Sequence, residues 1–213
     1  MTISRAFEAS ETWDSGLYMD QAAFWSFCQE RAAEGDPNHH ELLNGRVVMN
    51  PPPGWPQGRT NHIAFFMTAR VRALGMAGKV LTGEQGFELP SGDTVAPDVS
   101  FTSKARWDAA PPPVERQALK VVPTLVVEVL SRSTAARDRG EKKAIYEGNE
   151  VDEYWLVDLV ARVLTVFAFD SKVVLSVGEQ PRYLAPRVYR DGDVATTILG
   201  DFPMAEFLPA SLG

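Results

Sequence analysis

The sequence contains little cysteine or histidine and no long apolar run: its 213 residues include one cysteine and three histidines. The single thiol, Cys28, excludes an internal disulfide and a cysteine-based zinc cluster, and it fits a reducing compartment. No apolar stretch approaches the roughly 18 residues that a membrane span needs. Residues 1–16 lack the apolar core of a signal peptide. We therefore expect a cytoplasmic protein that does not cross a membrane.

Acidic residues outnumber basic ones, and the formal net charge is −7. This balance argues against unspecific attraction to nucleic acid over the whole surface, because such affinity comes from Lys and Arg at phosphates. The basic residues are nonetheless clustered in segment 42–80, which contains no Asp or Glu, and in segment 132–143. These two clusters could line one groove, or they could be solvated helix faces.

The beginning of the chain predicts a tail, a helix and a hairpin. Residues 1–16 are expected to form a flexible tail ahead of a single domain, residues 17–213. Asp20 is placed to cap a helix that ends at Ala33, before Gly and Pro residues. Asn44-Gly45 then separates two short apolar stretches, which is typical of a β-hairpin.

Further elements follow from the periodicity of apolar residues. A helix is predicted over residues 57–77. Its apolar side would carry His62, Phe65, Phe66, Ala69 and Leu74. Strands are predicted as a meander over residues 79–82, 85–89 and 94–101, and later over 153–158 and 162–169. Residues 102–122 form an unusually long connection, which we interpret as a mobile flap.

The stretch 123–131 predicts a central strand that is covered on both faces, because it is apolar and rich in Val and Leu. Glu128 lies in the middle of it. Alternation places Glu128 on one face with Val126 and Leu130, so neither face gives its carboxylate ready access to water. A buried carboxylate requires a cation or a hydrogen-bond donor.

Asp98 is a second carboxylate among apolar strand residues. If its strand neighbours that of Glu128, both side chains can reach one divalent metal ion. Mg²⁺ suits two such carboxylates better than zinc does, because no Cys or His cluster accompanies them. For Asp98 alone, a turn residue beside Pro97 is the commoner interpretation.

A helix predicted from Thr134 to Glu147, with Thr134 as its cap, carries Asp138, Lys142 and Tyr146 at a spacing of four residues. These side chains form one stripe that could fold back over Glu128. Lys142 could then hold an attacking water or offset charge on a phosphate. Taken alone, an exposed Asp138–Lys142 ion pair is the commoner explanation of this spacing.

Five short motifs in this order resemble the Uma-two family of restriction-endonuclease-like proteins, which belongs to the PD-(D/E)XK nuclease superfamily. They are Glu41-Leu-Leu-Asn-Gly45, Pro97-Asp98-Val-Ser-Phe101, Leu125-Val-Val-Glu128-Val-Leu-Ser131, Asp138 with Lys142 and Tyr146, and Glu153-Tyr-Trp-Leu-Val-Asp158. The resemblance covers roughly residues 40–169, including His62. It implies a single α/β domain in which a mixed β-sheet flanked by helices holds the paired acids.

By the same resemblance, Asp98 and Glu128 are metal-binding acids and the Val129 carbonyl is a third ligand. Glu41 resembles an additional acid and Lys142 the catalytic lysine. The family implies Mg²⁺-dependent phosphodiester hydrolysis, with Mn²⁺ as a substitute.

Three departures from the family and superfamily patterns bear on substrate fit or stability rather than on the metal ligands. The lysine that the superfamily usually carries two residues after the acid is replaced by Leu130, so the lysine must come from the helix. His40 and Asn44 occupy positions where the family usually shows Tyr and Asp.

The expected substrate is nucleic acid, with DNA favoured over RNA, and a homodimer is left open. His62, Arg132 and Arg139 are candidate substrate-binding residues, although His62 fits a packing role equally well. Trp55 could stack on a base. Two alternatives remain: a non-catalytic nucleic-acid or protein-interaction module with the nuclease fold, and a phosphohydrolase acting on small molecules.

Overall fold

The computed structural model describes residues 13–50, 57–83, 85–115, 117–169 and 182–208, and it contains two sheets and a separate hairpin. The strands are β1 Trp13–Tyr18, β2 His39–Leu43, β3 Arg46–Asn50, β4 Gly78–Thr82, β5 Phe87–Glu88, β6 Thr94–Val95, β7 Val99–Ser103, β8 Leu125–Val129, β9 Glu153–Asp158, β10 Val163–Ala168, β11 Arg187–Tyr189, β12 Val194–Thr197 and β13 Gly200–Pro203. The helices are α1 Gln21–Ala33, α2 Gln57–Ala73, α3 Lys104–Ala109, α4 Ala135–Arg137, a π-helical turn Asp138–Lys142, α5 Lys143–Gly148 and α6 Met204–Phe207. The prediction for Trp55 lies outside the described residues.

Sheet A is antiparallel and has the order β1-β3-β2-β6-β5. Its β2–β3 hairpin confirms the prediction from Asn44-Gly45. Both turn residues have positive φ, 52° for Asn44 and 75° for Gly45, as a two-residue type I′ turn requires. Strand β1 pairs with β3. Residues 13–16 therefore belong to a strand, and the tail prediction was wrong for them.

Sheet B has the order β11-β10-β9-β8-β7-β4, in which β8 and β9 are parallel and all other pairs are antiparallel. Strand β8 is the predicted central strand, and residues on both of its faces are buried. Leu125 and Val127 belong to one apolar cluster and Val126 to another. The predicted coverage of both faces is confirmed.

The two sheets share one core and so form one domain. One face of sheet B packs against sheet A and α5, in a cluster that contains Val48 of sheet A, Val126 of sheet B and Ile145 of α5. The other face of sheet B packs against α2, the β12–β13 hairpin and α6. Helix α1 covers the outer face of sheet A through Phe24. The Asp20 carboxylate accepts a hydrogen bond from Ala23 N at 2.8 Å, which confirms the predicted cap.

Helix α2 ends at Ala73, four residues earlier than predicted, and it presents a different face to the core. The buried residues are Ile63, Phe66, Met67 and Val71. Phe65 is 73% exposed, although it was predicted to face inward. The predicted apolar stripe is shifted by about one residue from the observed one. Phe65 and Phe66 are adjacent, so the sequence pattern alone could have placed either of them on the buried face.

Two predictions for residues 79–122 were wrong. Residues 94–101 form two strands in different sheets, because Pro97 between them has no N–H for a ladder bond. The presumed flap over residues 102–122 contains helix α3, whose cap Ser103 accepts a hydrogen bond from Arg106 N. Leu119 in the same segment is buried and bridges to Phe87 of sheet A. This part of the chain is therefore anchored to the core.

In the described residues, no helix is both long and apolar enough to span a membrane.

The phase of α2 can be tested with two neighbouring phenylalanines. The ring of Phe66 lies 4.9 Å from that of Phe202 and 5.2 Å from that of Phe207, centroid to centroid. Phe66→Ala is expected to lower the free energy of unfolding by about 3–5 kcal/mol, because it leaves a cavity in this aromatic cluster. Phe65→Ala, the matched control, should change it by less than about 0.5 kcal/mol. Urea denaturation of both variants measures the difference, and equal losses would contradict the assigned face.

Candidate active site

The acidic residues singled out in the sequence lie where the two sheets face each other. Glu41 on β2 pairs with Val48 of β3, so it points to the face of sheet A that packs on sheet B. Glu128 on β8 pairs with Leu156 of β9, on the opposing face of sheet B. Both glutamates are buried, with exposures of 0% and 4%. Carboxylates from different sheets are thus directed into one interior space.

Asp98 joins them from the residue before β7. The β7–β8 register pairs Val99 with Val127, and one further step places Asp98 opposite Glu128. The Asp98 Oδ2 atom accepts a hydrogen bond from Val129 N at 2.7 Å. The Pro97 break that separates β6 from β7 therefore sets this carboxylate at the end of the strand pair.

The helical segment from Ala135 to Gly148 supplies the cation. Asp138, Lys142 and Tyr146 are all buried, as the stripe predicted, so the interpretation as an exposed ion pair was wrong. Asp138 and Lys142 begin and end a π-helical turn, a distortion that is frequent at functional sites. Thr134 precedes the helix but makes no capping hydrogen bond, because its hydroxyl contacts Ser131 Oγ at 2.9 Å.

Lys142 bridges the two glutamates. Its ammonium lies 2.9 Å from Glu41 Oε1 and 2.6 Å from Glu128 Oε1. The Tyr146 hydroxyl donates a second hydrogen bond to the same Glu128 oxygen at 2.8 Å. The buried charge in the central strand is thus matched by a cation that comes from the helix rather than from a neighbouring strand.

Glu41 differs from Asp98 and Glu128 because protein groups donate hydrogen bonds to both of its carboxylate oxygens. Its Oε1 also accepts a hydrogen bond from Ala96 N at 2.8 Å, and its Oε2 accepts one from Asn50 Nδ2 at 2.7 Å. For Glu128 Oε2 and Asp98 Oδ1, no described residue donates a hydrogen bond. These two oxygens lie on opposing residues of adjacent strands and remain for an additional partner.

The cluster contains more carboxylates than cations, and several of its carboxyl groups have raised pKa values. Burial raises the pKa of Asp98 to about 6, against the opposing effects of the Val129 N–H and Lys142. Burial also raises the pKa of Glu128, and the negative charges of Asp138, Asp98 and Glu41 add to the rise although Lys142 opposes it. Lys142 and Arg137 supply two positive charges against the four carboxylates of Glu41, Asp98, Glu128 and Asp138, so the site favours additional positive charge.

The central ion pair keeps its charges despite burial. Burial disfavours the ammonium of Lys142, but Glu128 and Glu41 outweigh this effect and raise its pKa. Burial also disfavours the carboxylate of Glu41, but Lys142 and the Ala96 N–H outweigh it and lower its pKa. Lys142 therefore remains an ammonium ion and Glu41 a carboxylate.

A second ion pair joins the tip of the hairpin to the π-helical turn. Glu141, adjacent to Lys142, contacts Arg46 Nη2 at 2.8 and 2.9 Å and accepts a hydrogen bond from Asn44 Nδ2 at 2.9 Å. This contact fixes the helix against sheet A beside the ammonium of Lys142. Asn44, where the family usually has an acid, thus serves as a donor to Glu141.

The remaining candidate residues lie apart from these contacts. Arg132 is exposed, and Arg139, which is 55% exposed, lies 4.0 Å from Asp158. His62 is partly buried, and its Nε2 has no hydrogen-bond partner among the described residues. Leu130 is partly buried and packs against the core between the sheets.

Sequence reasoning missed Asn50 and gave Arg137 no specific role, although Asn50 donates to Glu41 and Arg137 donates to Asn50. The contact between Arg137 and Asn50 joins positions 87 residues apart, and no local pattern reports such a pairing.

The donor set limits what metal could bind. Within the described ranges, no group of three or more His, Cys, Asp or Glu side chains has the arrangement of a metal site. A metal ion here would depend on two carboxylates together with main-chain, water or substrate oxygens. Mg²⁺ is the ion that commonly binds in this way.

Lys142 should contribute strongly to stability because its removal leaves buried carboxylates without a cation. Lys142→Met is expected to lower the free energy of unfolding by about 3–5 kcal/mol. The double variant with Glu128→Gln should regain part of this loss, since one uncompensated charge is also removed. Lys120→Met, at a residue whose side chain is 54% exposed and pairs with Glu88, is the control, with a loss below about 1 kcal/mol. Denaturation at neutral pH measures all three. A loss at Lys142 no larger than at Lys120 would rule out the bridging role.

Comparison with known proteins agrees with this architecture. The family Uma2, described as "Putative restriction endonuclease", matches residues 25–190. A solved structure described as a putative nuclease belonging to DUF820, from Anabaena variabilis, superposes with a TM-score of 0.60 at 13% identity. The match covers 81% of this chain and 90% of that one. No curated protein matches the sequence.

The matched region contains sheet B, all of sheet A except β1, the π-helical turn and every residue of the acid cluster, and the chain accordingly belongs to the Uma2 (Uma-two) family of restriction-endonuclease-like proteins.

Proposed function

We propose that this protein is a metal-dependent endonuclease that hydrolyses phosphodiester bonds of nucleic acid. The observation that carries the proposal is the buried Lys142 ammonium between Glu41 and Glu128, with Asp98 opposite Glu128. Membership of a family described as putative restriction endonucleases supports the same activity. So does the structural likeness to a protein described as a putative nuclease.

Asp98 and Glu128 are the proposed metal ligands, with the Val129 carbonyl as a third. Each carboxylate has one oxygen without a donor among the described residues, and both carboxyl groups have a raised pKa in a surplus of negative charge. A divalent cation would relieve this surplus, and oxygen donors suit Mg²⁺ or Mn²⁺ better than a softer metal. When bound, the ion would act as a Lewis acid on a phosphate oxygen and lower the pKa of a bound water.

The protein's own groups have distinct parts in this proposal. Lys142 has three N–H donors, of which Glu41 and Glu128 take two. The third can donate to the attacking water or to a non-bridging phosphate oxygen, where negative charge grows during the reaction. Tyr146 fixes the orientation of Glu128. Glu41, held by Asn50 and Ala96, keeps the ammonium charged and in place.

Nucleic acid is the proposed substrate, and DNA is favoured over RNA. Arg139 lies on the same helical segment as Lys142, and Arg132 lies just before that segment; both are exposed. They are therefore proposed to contact the phosphate backbone outside the cleavage site. His62 on α2, the helix that packs on the other face of sheet B, is proposed as a substrate contact outside the acid cluster.

Cleavage should require both a metal and the two acids. Wild-type protein with Mg²⁺ or Mn²⁺ is expected to nick or linearise closed circular DNA, and chelation should stop it. Asp98→Asn and Glu128→Gln should each lower the rate at least about 10²-fold, since each removes a charged ligand of the metal ion that would act as Lewis acid on the phosphate. The exposed acid Glu206 provides the control, because Glu206→Gln should cleave as wild type does.

Gel assays on circular, linear and single-stranded DNA and on structured RNA provide the measurement. If the protein cleaves none of them with either metal, the nuclease proposal fails. If it hydrolyses only small phosphodiesters, the site is that of a small-molecule phosphohydrolase.

Metal binding can also be measured without cleavage. A ligand at 100 times its Kd stabilises the folded state by about 2.7 kcal/mol, so Mg²⁺ or Mn²⁺ should raise the Tm of the wild type. Glu128→Gln should abolish this shift, whereas Glu206→Gln should retain it. A metal-induced shift that is the same in Glu128→Gln would place the ion elsewhere. No shift in the wild type, together with salt-sensitive nucleic-acid binding, would indicate a non-catalytic module.

A further inference from the structure

Arg137 occupies a position at the acid cluster that its hydrogen bonds do not fully account for. It is partly buried and immediately precedes the π-helical turn. Its Nη2 donates to Asn50 Oδ1 at 2.5 Å. Its Nε is buried and has no hydrogen-bond partner among the described residues. A buried N–H of a charged group without a partner is costly, so a missing acceptor is the natural explanation.

Arg137 also lacks a carboxylate. Across the described ranges, no Asp or Glu oxygen lies within 4.0 Å of its nitrogens. Most of the arginines whose side chains make polar contacts in the described residues do have such a partner: Arg31, Arg46, Arg106, Arg139, Arg162 and Arg187. Arg137 is thus a partly buried guanidinium ion whose charge is left without a contacting anion.

Hydrogen bonds connect this guanidinium to the reacting groups. Asn50 accepts from Arg137 through Oδ1 and donates through Nδ2 to Glu41 Oε2 at 2.7 Å. The other oxygen of Glu41 contacts Lys142 at 2.9 Å. The amide of Asn50 therefore fixes the guanidinium one side chain away from the Glu41–Lys142 pair, while other N–H groups of Arg137 remain unused.

We infer that Arg137 binds a phosphate oxygen of the substrate, and that Asn50 is the positioning residue that orients it. This inference rests on the proposed function and adds a residue to it. A guanidinium presents planar N–H pairs that match phosphate oxygens, and it stays charged at all relevant pH values. The scissile phosphate supplies the anion that Arg137 lacks, and the guanidinium offsets the charge that develops on that phosphate during hydrolysis.

The kinetic test compares two variants of Arg137 with a matched arginine. Arg137→Ala and Arg137→Lys are each expected to lower kcat for DNA cleavage about 10²–10³-fold with a smaller change in KM, because the contact strengthens in the transition state. Lysine keeps the charge but loses the paired donors. Arg190→Ala removes an exposed arginine outside the site and should leave both constants unchanged. Wild-type kcat in Arg137→Ala would overturn the inference.

The salt dependence of binding separates phosphate contact from a structural role. In the presence of EDTA, fluorescence anisotropy with a labelled DNA duplex gives the slope of log K against log salt concentration. Arg137→Ala should reduce the magnitude of this slope by about 0.9, which corresponds to one lost phosphate contact. Arg137→Lys and Asn50→Ala should leave it near the wild-type value. An unchanged slope in Arg137→Ala would show that the residue only supports Asn50.

The same measurement distinguishes failure of this inference from failure of the proposed function. If the wild type binds DNA through Arg137 but cuts nothing, the phosphate contact stands and the nuclease proposal fails. If the wild type cuts DNA and Arg137→Ala leaves both slope and kcat unchanged, only the inference fails. If the wild type neither binds nor cuts DNA, both fail. Thermal unfolding of each variant verifies that Arg137→Ala remains folded under the assay conditions.

Discussion

The ammonium of Lys142, held between a glutamate of each sheet, is the interaction on which the centre of this molecule depends. Burying a carboxylate in an apolar strand is expensive unless a cation or donor accompanies it. Glu128 has both, from Lys142 and Tyr146 on one helix, and Glu41 faces the same ammonium from the other sheet. Three separate elements must therefore assemble before any one of these charges is tolerated.

This constraint explains several features that otherwise look unrelated. The π-helical turn begins at the buried Asp138 and ends at the buried Lys142, so that both charges enter the site from one helical segment. The contact between Glu141 and Arg46 fixes that turn to the hairpin that carries Glu41. Pro97 separates β6 of sheet A from β7 of sheet B. Asp98 therefore lies beside Glu128 immediately before β7 and not within a continuous strand. Each feature places a charged group where a neighbouring charge or donor offsets its burial.

The elements that the sequence predicted well were those with a local cause. The Asn44-Gly45 turn, the Asp20 cap and the apolar run around Glu128 each specify their structure within a few residues. Predictions failed where the outcome depended on distant partners. Whether Phe65 or Phe66 faced the core was decided by Phe202 and Phe207, far along the chain. The contact of Arg137 with Asn50 was invisible for the same reason.

Because the site is divided between two sheets, its integrity reports on how the sheets are docked. Partial opening of sheet A, a sub-global motion less costly than complete unfolding, would withdraw Glu41 and Asn50 together. Asp98 and Glu128 would remain paired at the end of β7 and β8, while Lys142 and Arg137 would lose their partners on the opposite wall. Such a state would retain the proposed metal ligands but not the arrangement of cations around them. Amides of β2 and β3 that exchange with solvent faster than those of β8 and β9 would identify this state in the native ensemble.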